Sequence, residues 1–273
     1  MPTKENDIKG TEPCIIAYFD ILGYKDFLKS NDNDEFALLS SIDEEFFKLN
    51  QLNKNKGLAP IGLRTKTFSD NVVLAIKSTS DLEEKEPFDF LAALLCILQL
   101  RFLERHNLLI RGSLVFGDIL VNESMAFGKG LIDAVAAENE RSKFPRILID
   151  ESVAKKLGHN MSRLSFIRRD NDGEYYLDFF QAVGFYTENA RNAGCLAKIR
   201  VNLEKRIRMY CKYSQNVKVD STILARDRII SKHLWMVEKF NAYCNENGEV
   251  EHSVRYLPVL NKRLMKYELR VKS

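Results

Sequence analysis

The sequence predicts an α+β fold, in which an antiparallel-rich sheet carries helices on one face and a helical C-terminal extension follows. Up to about residue 185, strand-like and helix-like segments alternate, and the first six follow the ferredoxin-like order β-α-β-β-α-β. After Gly194, neither Gly nor Pro occurs before Gly248, and apolar residues recur at helical spacing. We therefore expect three regions: a polar N-terminal tail at 1–12, a domain at 13–185 and a basic helical extension at 186–273.

The first strand, helix and hairpin follow from local composition. Residues 14–19 (CIIAYF) are mostly apolar, β-branched or aromatic, and predict a buried strand that ends at Asp20. Apolar residues spaced three and four apart predict an amphipathic helix over 33–52. Strand-like segments at 63–68 and 72–77 flank the polar triplet Ser69-Asp70-Asn71, which predicts a β-hairpin.

The rest of the chain continues in the same alternation. The expected elements are a helix at about 88–105, a strand at 108–121, a helix at 131–141, a strand at 146–150, a helix capped by Asp150, and a hairpin around Asp172-Gly173. In the extension, three apolar stripes predict helices: 196–210, 223–237 and 257–267.

Composition places the chain among ordinary globular proteins. It has 273 residues, of which 45% are hydrophobic, and a net charge of +3, so disordered, collagen-like and disulfide-scaffold classes are excluded. The first residues lack an apolar signal segment, and the longest apolar run, 90–100, is about half of what a membrane span needs. We expect a cytoplasmic protein without a membrane partner, whose five scattered cysteines are reduced thiols.

Asp20 and Asp70 are the first candidates for chemistry. Each lies at a strand end or a hairpin tip, and in a β-α-β-β arrangement the first strand lies beside the hairpin. Two carboxylates that meet there suit Mg²⁺, which binds oxygen ligands together with substrate phosphates. The alternative is that each Asp only closes a turn.

Three segments, in order, carry a family resemblance: AYFDILGYKDF (17–27), KTFSDNVVLA (66–75) and LLIRGSLVFGDI (108–119). Together they resemble the class III nucleotide cyclases, whose catalytic domains have a palm-type α+β fold. The resemblance covers about residues 13–155. Ser69 replaces the Gly that usually precedes the hairpin Asp, and the Gly of the arginine strand is displaced by one position.

The resemblance implies a site for a nucleoside triphosphate and two Mn²⁺ or Mg²⁺ ions. Asp20, Asp70 and the backbone carbonyl of Ile21 correspond to the metal ligands. Arg111 and the turn of Leu22, Gly23, Tyr24 and Lys25 correspond to the groups that bind the triphosphate. Lys66 lies where the family places a base-reading side chain, and lysine is the adenylate-type choice there, although an ammonium can equally donate to a pyrimidine carbonyl. The resemblance also implies a head-to-tail homodimer with sites at the interface, to which the 131–141 helix contributes.

Several positions depart from the family pattern. Ile132 and Ala136 fall where the transition-state Asn and Arg usually stand, and Met125 where a second base-reading Asp is expected. Asp133 and Arg141 are the remaining candidates for the transition-state role. Bulky residues in the base-binding region, Phe68, Tyr24 or Met125, would narrow the site for a smaller base. An inactive relative and an enzyme for a different base therefore both remain open.

The motifs most resemble the pyrimidine cyclases of the bacterial Pycsar anti-phage systems. The resemblance lies in the Phe-Asp-Ile-Leu-Gly-Tyr opening, the Phe-Ser-Asp hairpin, Ile-Arg-Gly and Lys-His-Leu-Trp at 232–235. It implies a uridylate cyclase that makes cUMP for anti-phage defence, with a cytidylate cyclase as the alternative. It also implies an activating signal, with phage infection as the candidate source.

The charge is unevenly distributed and raises another class of function. Residues 186–273 hold 18 Lys and Arg against 9 Asp and Glu, whereas the first 185 hold 23 against 29. A basic helical segment could bind nucleic acid. It lacks interleaved aromatic residues and any recognised reader motif, so nucleic acid is not the expected partner.

Overall fold

A computed structural model describes residues 10–22, 40, 43–45, 62–78, 85–158, 166–186, 189–213, 220–254, 256–261 and 266–271. The helix predicted over 33–52 lies mostly outside these residues, although 40 and 43–45 are helical. Gly23, Tyr24 and Lys25 also lie outside them. The described chain divides into two compact units. The first runs up to Leu94 and includes Ile110–Ser142 and Arg146–Asp178, and the second comprises Leu95–Leu109, Lys143–Pro145 and the residues from Phe179 onwards.

The strands and helices of the first unit follow the predicted order. Its strands are β1 (Glu12–Leu22), β2 (Arg64–Phe68), β3 (Asn71–Lys77), β4 (Leu109–Val121), β5 (Ala126–Phe127), β6 (Ile147–Ile149), β7 (Ile167–Arg169) and β8 (Tyr175–Leu177). Its helices are the first part of α1 (Lys85–His106), α2 (Lys129–Arg141) and α3 (Glu151–Leu157). The side chain of Asp150 accepts a hydrogen bond from the amide of Ser152 at 2.8 Å, which confirms the predicted cap.

The sheet has the strand order β2-β3-β1-β4-β6-β8-β7, with β5 paired to β4. Its first four strands have the ferredoxin-like order, and every strand pair with a defined register is antiparallel except β4 with β6. The predicted α+β class with an antiparallel-rich sheet is therefore confirmed.

The β2–β3 hairpin is tighter than the predicted three-residue break. Phe68 pairs directly with Asn71, so only Ser69 and Asp70 form the turn. Ser69 has a φ of 56°, in the left-handed region that two-residue hairpin turns use. The second predicted hairpin, at Asp172-Gly173, is confirmed by the antiparallel pairing of β7 with β8.

Both faces of the sheet are buried along β1. Residues 14–17 are buried without interruption, although alternate residues of a strand point to opposite faces. α2 packs its Ala134 and Ala137 on the face that carries Cys14, Ile16, Val73 and Ala75. α2 therefore covers the face of the sheet that these four residues share.

Gly112 allows β4 to lie close to β1. A Cβ atom at this position would stand 2.3 Å from the carbonyl oxygen of Tyr18 and 2.6 Å from the Cβ atom of Phe19. Both are atoms of β1 that cannot rotate away, so only glycine fits. The Gly that follows Arg111 thus sets the spacing between the strand with Arg111 and the strand with Asp20.

We predict that Gly112→Ala destabilises the protein by about 1–3 kcal/mol, because the added methyl group must push β1 away from β4. Denaturant unfolding measures the change. Gly10→Ala is the matched control, since a Cβ atom there meets no atom within 4 Å and should leave the unfolding midpoint unchanged. Equal stability of Gly112→Ala and the wild type would contradict the close approach of the two strands.

The second unit is helical with one β-hairpin. After the 3₁₀-helix Phe179–Ala182 come α4 (Val183–Tyr186), α5 (Asn189–Tyr213) and α6 (Asp220–Glu246). The 3₁₀-helix Val250–His252 then precedes β9 (Tyr256–Asn261) and β10 (Lys266–Val271). Trp235 of α6 is buried and stacks on Phe144 with ring centroids 5.5 Å apart.

The helix predicted over 257–267 is wrong, because β9 and β10 pair there as an antiparallel hairpin. Two features of the sequence oppose a helix. Pro258 lacks the N–H group that a helix interior uses, and Tyr267, Leu269 and Val271 alternate with polar residues in the period of a strand.

Four cysteines (Cys14, Cys96, Cys195 and Cys244) are buried free thiols, as predicted for the described part of the chain. No helix among the described residues is long and apolar enough to cross a membrane.

Candidate functional site

The structure brings Asp20 and Asp70 together at one end of the sheet. Asp20 lies opposite Asn71 in the β1–β3 register. The backbone N–H of Ile21 donates to the carbonyl oxygen of Asp70 at 3.2 Å, so the two aspartates are neighbours across the strand pair. Asp20 and Asp70, which are fifty positions apart in the sequence, therefore lie at the same end of the sheet.

Arg111 enters the same corner from β4. Its Nη2 atom donates to Asp20 Oδ2 at 3.0 Å, and its Nε atom donates to Asp20 Oδ1 at 3.4 Å. Nη2 also lies 2.5 Å from Glu138 Oε1, and Nη1 donates to the carbonyl oxygen of Ser142 at 3.4 Å. The guanidinium therefore bridges one carboxylate on β1 and another on α2.

Glu138 is a member of this cluster that the sequence analysis did not identify. It is only 2% exposed and lies on the buried side of α2, next to Ala134 and Ala137. A buried carboxylate requires a cationic partner, and Arg111 supplies it. The available signal was a glutamate within the apolar stripe of an otherwise alanine-rich helix face.

The electrostatics of the cluster favour a charged Arg111. Burial lowers its pKa, but the hydrogen bond and the charge of Asp20, together with the charge of Glu138, raise it, and the net pKa lies above the usual value. The guanidinium is therefore a permanent cation between the two acids.

Tyr18 and Asn71 complete the cluster, and neither was singled out from the sequence. The hydroxyl of Tyr18 donates to Asn71 Oδ1 at 2.6 Å, and Asn71 Nδ2 donates to Asp70 Oδ1 at 3.3 Å. Burial and the negative charges of Glu138, Asp20 and Asp70 raise the pKa of Tyr18, so it remains a neutral donor. The chain of hydrogen bonds restricts the orientation of the Asp70 carboxylate.

The donor set fits a hard divalent cation. Two carboxylates with the nearby amide oxygen of Asn71 and backbone carbonyls supply oxygen ligands only, which is what Mg²⁺ and Mn²⁺ prefer. The Asp20 side chain is 19% exposed, so it is partly buried but still accessible to a ligand. Asp20, Asp70 and the carbonyl of Ile21 are the groups that would hold such an ion.

The residues predicted to bind the base lie around a loop beside the hairpin. Lys66 and Phe68 share one face of β2, and Lys66 Nζ donates to the main-chain carbonyl of Glu123. The side chain of Asn122 accepts hydrogen bonds from the amides of Ser124 and Met125 at 2.9 and 2.8 Å, which shapes the loop. Phe68 and Met125 are both exposed, and each lies two positions in the chain from one end of this contact.

Asp133 and Arg141 have other partners within the chain. Asp133 is exposed and pairs with Lys129 at 3.5 Å, one turn earlier on α2. Arg141 makes a bidentate pair with Glu174, at 2.9 and 2.6 Å, and its Nη1 atom lies 2.5 Å from Asp150 Oδ2. These contacts connect the end of α2 to the β7–β8 hairpin. The transition-state role of both residues stays a prediction.

Comparisons with known proteins give similarities only to solved structures. No known protein-family model and no curated protein matches the sequence. The catalytic core of a rhodopsin-guanylyl cyclase with converted specificity, solved with ATPαS, aligns with a TM-score of 0.43 and 14% identity over 62% of this chain and 97% of that one. The guanylyl cyclase domain of the RhoGC fusion protein from the aquatic fungus Blastocladiella emersonii aligns with a TM-score of 0.44 and 14% identity over 62% and 96%.

A third similar structure is a class III adenylyl cyclase-like ATP-binding protein from Pseudomonas aeruginosa. It aligns with a TM-score of 0.44 and 15% identity, over 63% of this chain and 40% of that one. All three similarities are low.

Proposed function

We propose that the protein is a nucleotide cyclase that converts a pyrimidine nucleoside triphosphate, UTP in preference to CTP, into the 3′,5′-cyclic nucleotide and pyrophosphate. The observation that carries the proposal is the cluster of Asp20 on β1, Asp70 in the β2–β3 turn and Arg111 on β4, which meet at one end of the sheet. Two adjacent carboxylates and a charged guanidinium are the groups that a metal-bound triphosphate requires.

Each residue of the cluster has a role in this reaction. Asp20, Asp70 and the carbonyl of Ile21 would hold two Mg²⁺ or Mn²⁺ ions, which when bound would lower the pKa of the ribose 3′-hydroxyl and stabilise the departing charge. Arg111 and the amides of residues 22–25 bind the β- and γ-phosphates. These groups place the 3′-oxygen in line with the α-phosphorus.

The reaction forms one bond and breaks another at the α-phosphorus. The 3′-oxygen bonds to it and loses its proton to solvent, while the bond from the α-phosphorus to the bridging oxygen breaks. Pyrophosphate leaves with that oxygen and its electron pair. Positioning and charge stabilisation supply the rate enhancement, so no covalent intermediate with the protein is needed.

The loop beside the hairpin supports a pyrimidine substrate. The ammonium group of Lys66 already donates to a carbonyl, that of Glu123, and a pyrimidine carbonyl offers the same acceptor. Phe68 and Met125 are exposed and close in sequence to the two ends of this contact, and their bulk would leave less room for a two-ring base. Such apolar fit gives modest selectivity, and an ammonium donates equally well to purine and pyrimidine acceptors, so the choice between uracil and cytosine rests on hydrogen bonds from further groups.

A nucleotide-binding homologue without activity is the second candidate. Two observations favour it. Ile132 and Ala136 fall where the resembled family usually has its transition-state Asn and Arg, and Arg141 is already paired with Glu174 and Asp150. In the active alternative, a homodimer completes the site, and the exposed apolar side chains of Phe127 and Ile132 are suited to such a contact. A role in anti-phage defence, triggered by infection, belongs to the same proposal.

We predict that the purified protein, incubated with Mn²⁺ and each of the four common ribonucleoside triphosphates in turn, makes cUMP from UTP. Chromatography against authentic cyclic nucleotides identifies the product, and a parallel incubation with EDTA is the control. A dominant cCMP product, made from CTP, would instead support the alternative of a cytidylate cyclase. Binding of a triphosphate without any turnover would favour the inactive homologue.

A further inference from the structure

All three nitrogen atoms of the Arg111 guanidinium are engaged within the chain. Nε and Nη2 contact the two carboxylate oxygens of Asp20, Nη2 also contacts Glu138, and Nη1 contacts the carbonyl of Ser142. The Asp20 carboxylate is correspondingly covered on both oxygens by the guanidinium. The guanidinium and the carboxylate therefore satisfy each other's hydrogen-bonding groups.

This pairing conflicts with the roles of the two residues in the proposed function. A guanidinium whose Nε and Nη2 atoms both donate to Asp20 cannot donate with the same pair of N–H groups to a phosphate. A carboxylate that accepts from Arg111 with both oxygens has its strongest acceptor positions occupied. One exchange relieves both conflicts, because Asp20 becomes available when Arg111 turns away from it.

Glu138 and Ser142 are the two contacts that Arg111 retains when its side chain rotates away from Asp20. Both are buried, at the end of α2 and just beyond it, and the amide of Ser142 donates to the carbonyl of Glu138 at 3.1 Å. The hydroxyl of Ser142 donates to the carbonyl of Arg146 at 3.1 Å. Arg111 therefore keeps a buried counter-charge and one carbonyl acceptor when it leaves Asp20.

We propose that Asp20 exchanges partners during ligand binding. In the ligand-free protein it holds Arg111, and on binding a divalent cation it releases the guanidinium, which pivots on Glu138 towards the triphosphate. Glu138 is thus a positioning residue that acts through Arg111. The inference rests on the proposed function, and it makes Arg111 a competitor of the cation for Asp20.

Mn²⁺ binding in the absence of nucleotide tests the exchange. The double variant Arg111→Gln/Glu138→Gln removes the competitor and its buried counter-charge together, so the local net charge is unchanged. We expect it to bind Mn²⁺ about three- to five-fold more tightly than the wild type, the scale of a part-exposed ion pair. Electron paramagnetic resonance of free Mn²⁺ measures the affinity without turnover, and circular dichroism checks the fold.

Glu138→Gln alone is the matched control, because it leaves Arg111 with Asp20 as its remaining carboxylate. We expect Mn²⁺ affinity equal to that of the wild type or weaker. Tightening by this single change as large as in the double variant would overturn the proposal. So would an unchanged or weakened affinity in the double variant.

Arg111→Lys serves if the double variant does not fold. A lysine keeps the charge but lacks the fork that spans Asp20 and Glu138, so Mn²⁺ should bind more tightly than in the wild type. An affinity no higher than that of the wild type would overturn the exchange. Saturable Mn²⁺ binding of equal strength in every variant contradicts only the exchange. Absence of saturable binding in all of them contradicts the metal site of the proposed function as well.

Discussion

Asp70→Asn is expected to reduce the release of pyrophosphate by at least about a thousandfold, while the protein stays folded. The substitution keeps the size of the side chain and an oxygen that can accept from Asn71, but it removes the negative charge at the turn between β2 and β3. Loss of one charged metal ligand removes stabilisation of the transferred phosphate, which is the main catalytic contribution in reactions of this kind. Initial rates with UTP and Mn²⁺ measure the loss.

Asp118→Asn is the matched control for this variant. Asp118 is an exposed carboxylate on β4, the same strand as Arg111, and the same chemical change there should leave the rate within a factor of about two. Equal melting temperatures for both variants and the wild type would show that Asp70→Asn loses activity because the charge is removed and not because the protein unfolds. Full activity of Asp70→Asn would remove Asp70 from the metal site.

The largest expected effect on stability comes from Arg146→Met. The Arg146 side chain is wholly buried, and it pairs with Asp170 and Asp172 of the β7–β8 hairpin. Methionine fills a similar volume but leaves Asp170, itself buried, without this cation. Removal of one member of a buried ion pair costs about 3–5 kcal/mol, and we expect a loss of unfolding free energy of that size.

Arg168→Met provides the comparison for the buried pair. The Arg168 side chain is 42% exposed, and its Nε atom lies 3.4 Å from Asp178 Oδ2. Asp178 is itself buried, but the Arg168 end of the pair is open to solvent and the contact is long, so we expect a loss of only about 1 kcal/mol. Urea unfolding of both variants separates the two cases. Similar small losses would show that Arg146 is not the main support of the hairpin.

The order of strands and helices in the first unit was predictable because local patterns and topology agree. Apolar runs such as 14–19 can be satisfied only in a buried strand, and tight turns at Ser69-Asp70 and Asp172-Gly173 fix which strands pair. Once β1 lies beside β3, the meeting of Asp20 with Asp70 follows from the register.

The contacts of the charged residues were not predictable in the same way. Whether Arg111 meets Asp20, Glu138 or neither depends on how α2 packs on β4, which close contact between Gly117 and Gly130 permits. Arg141 likewise met Glu174, thirty-three positions later in the sequence. Helical periodicity also misassigned 257–267, because spacings of three and four residues occur by chance in a short hairpin with Pro258.

A ³¹P NMR spectrum of the protein with UTP and Mn²⁺, recorded after the metal is chelated, shows directly which phosphate bond the protein breaks. We predict that the triphosphate resonances decay while pyrophosphate and a 3′,5′-cyclic phosphodiester appear in equal amounts. Orthophosphate together with UDP would instead show hydrolysis of the terminal phosphate. That result, or a triphosphate that remains intact with all four nucleotides, would contradict the assignment of Asp20, Asp70 and Arg111 to a cyclase site.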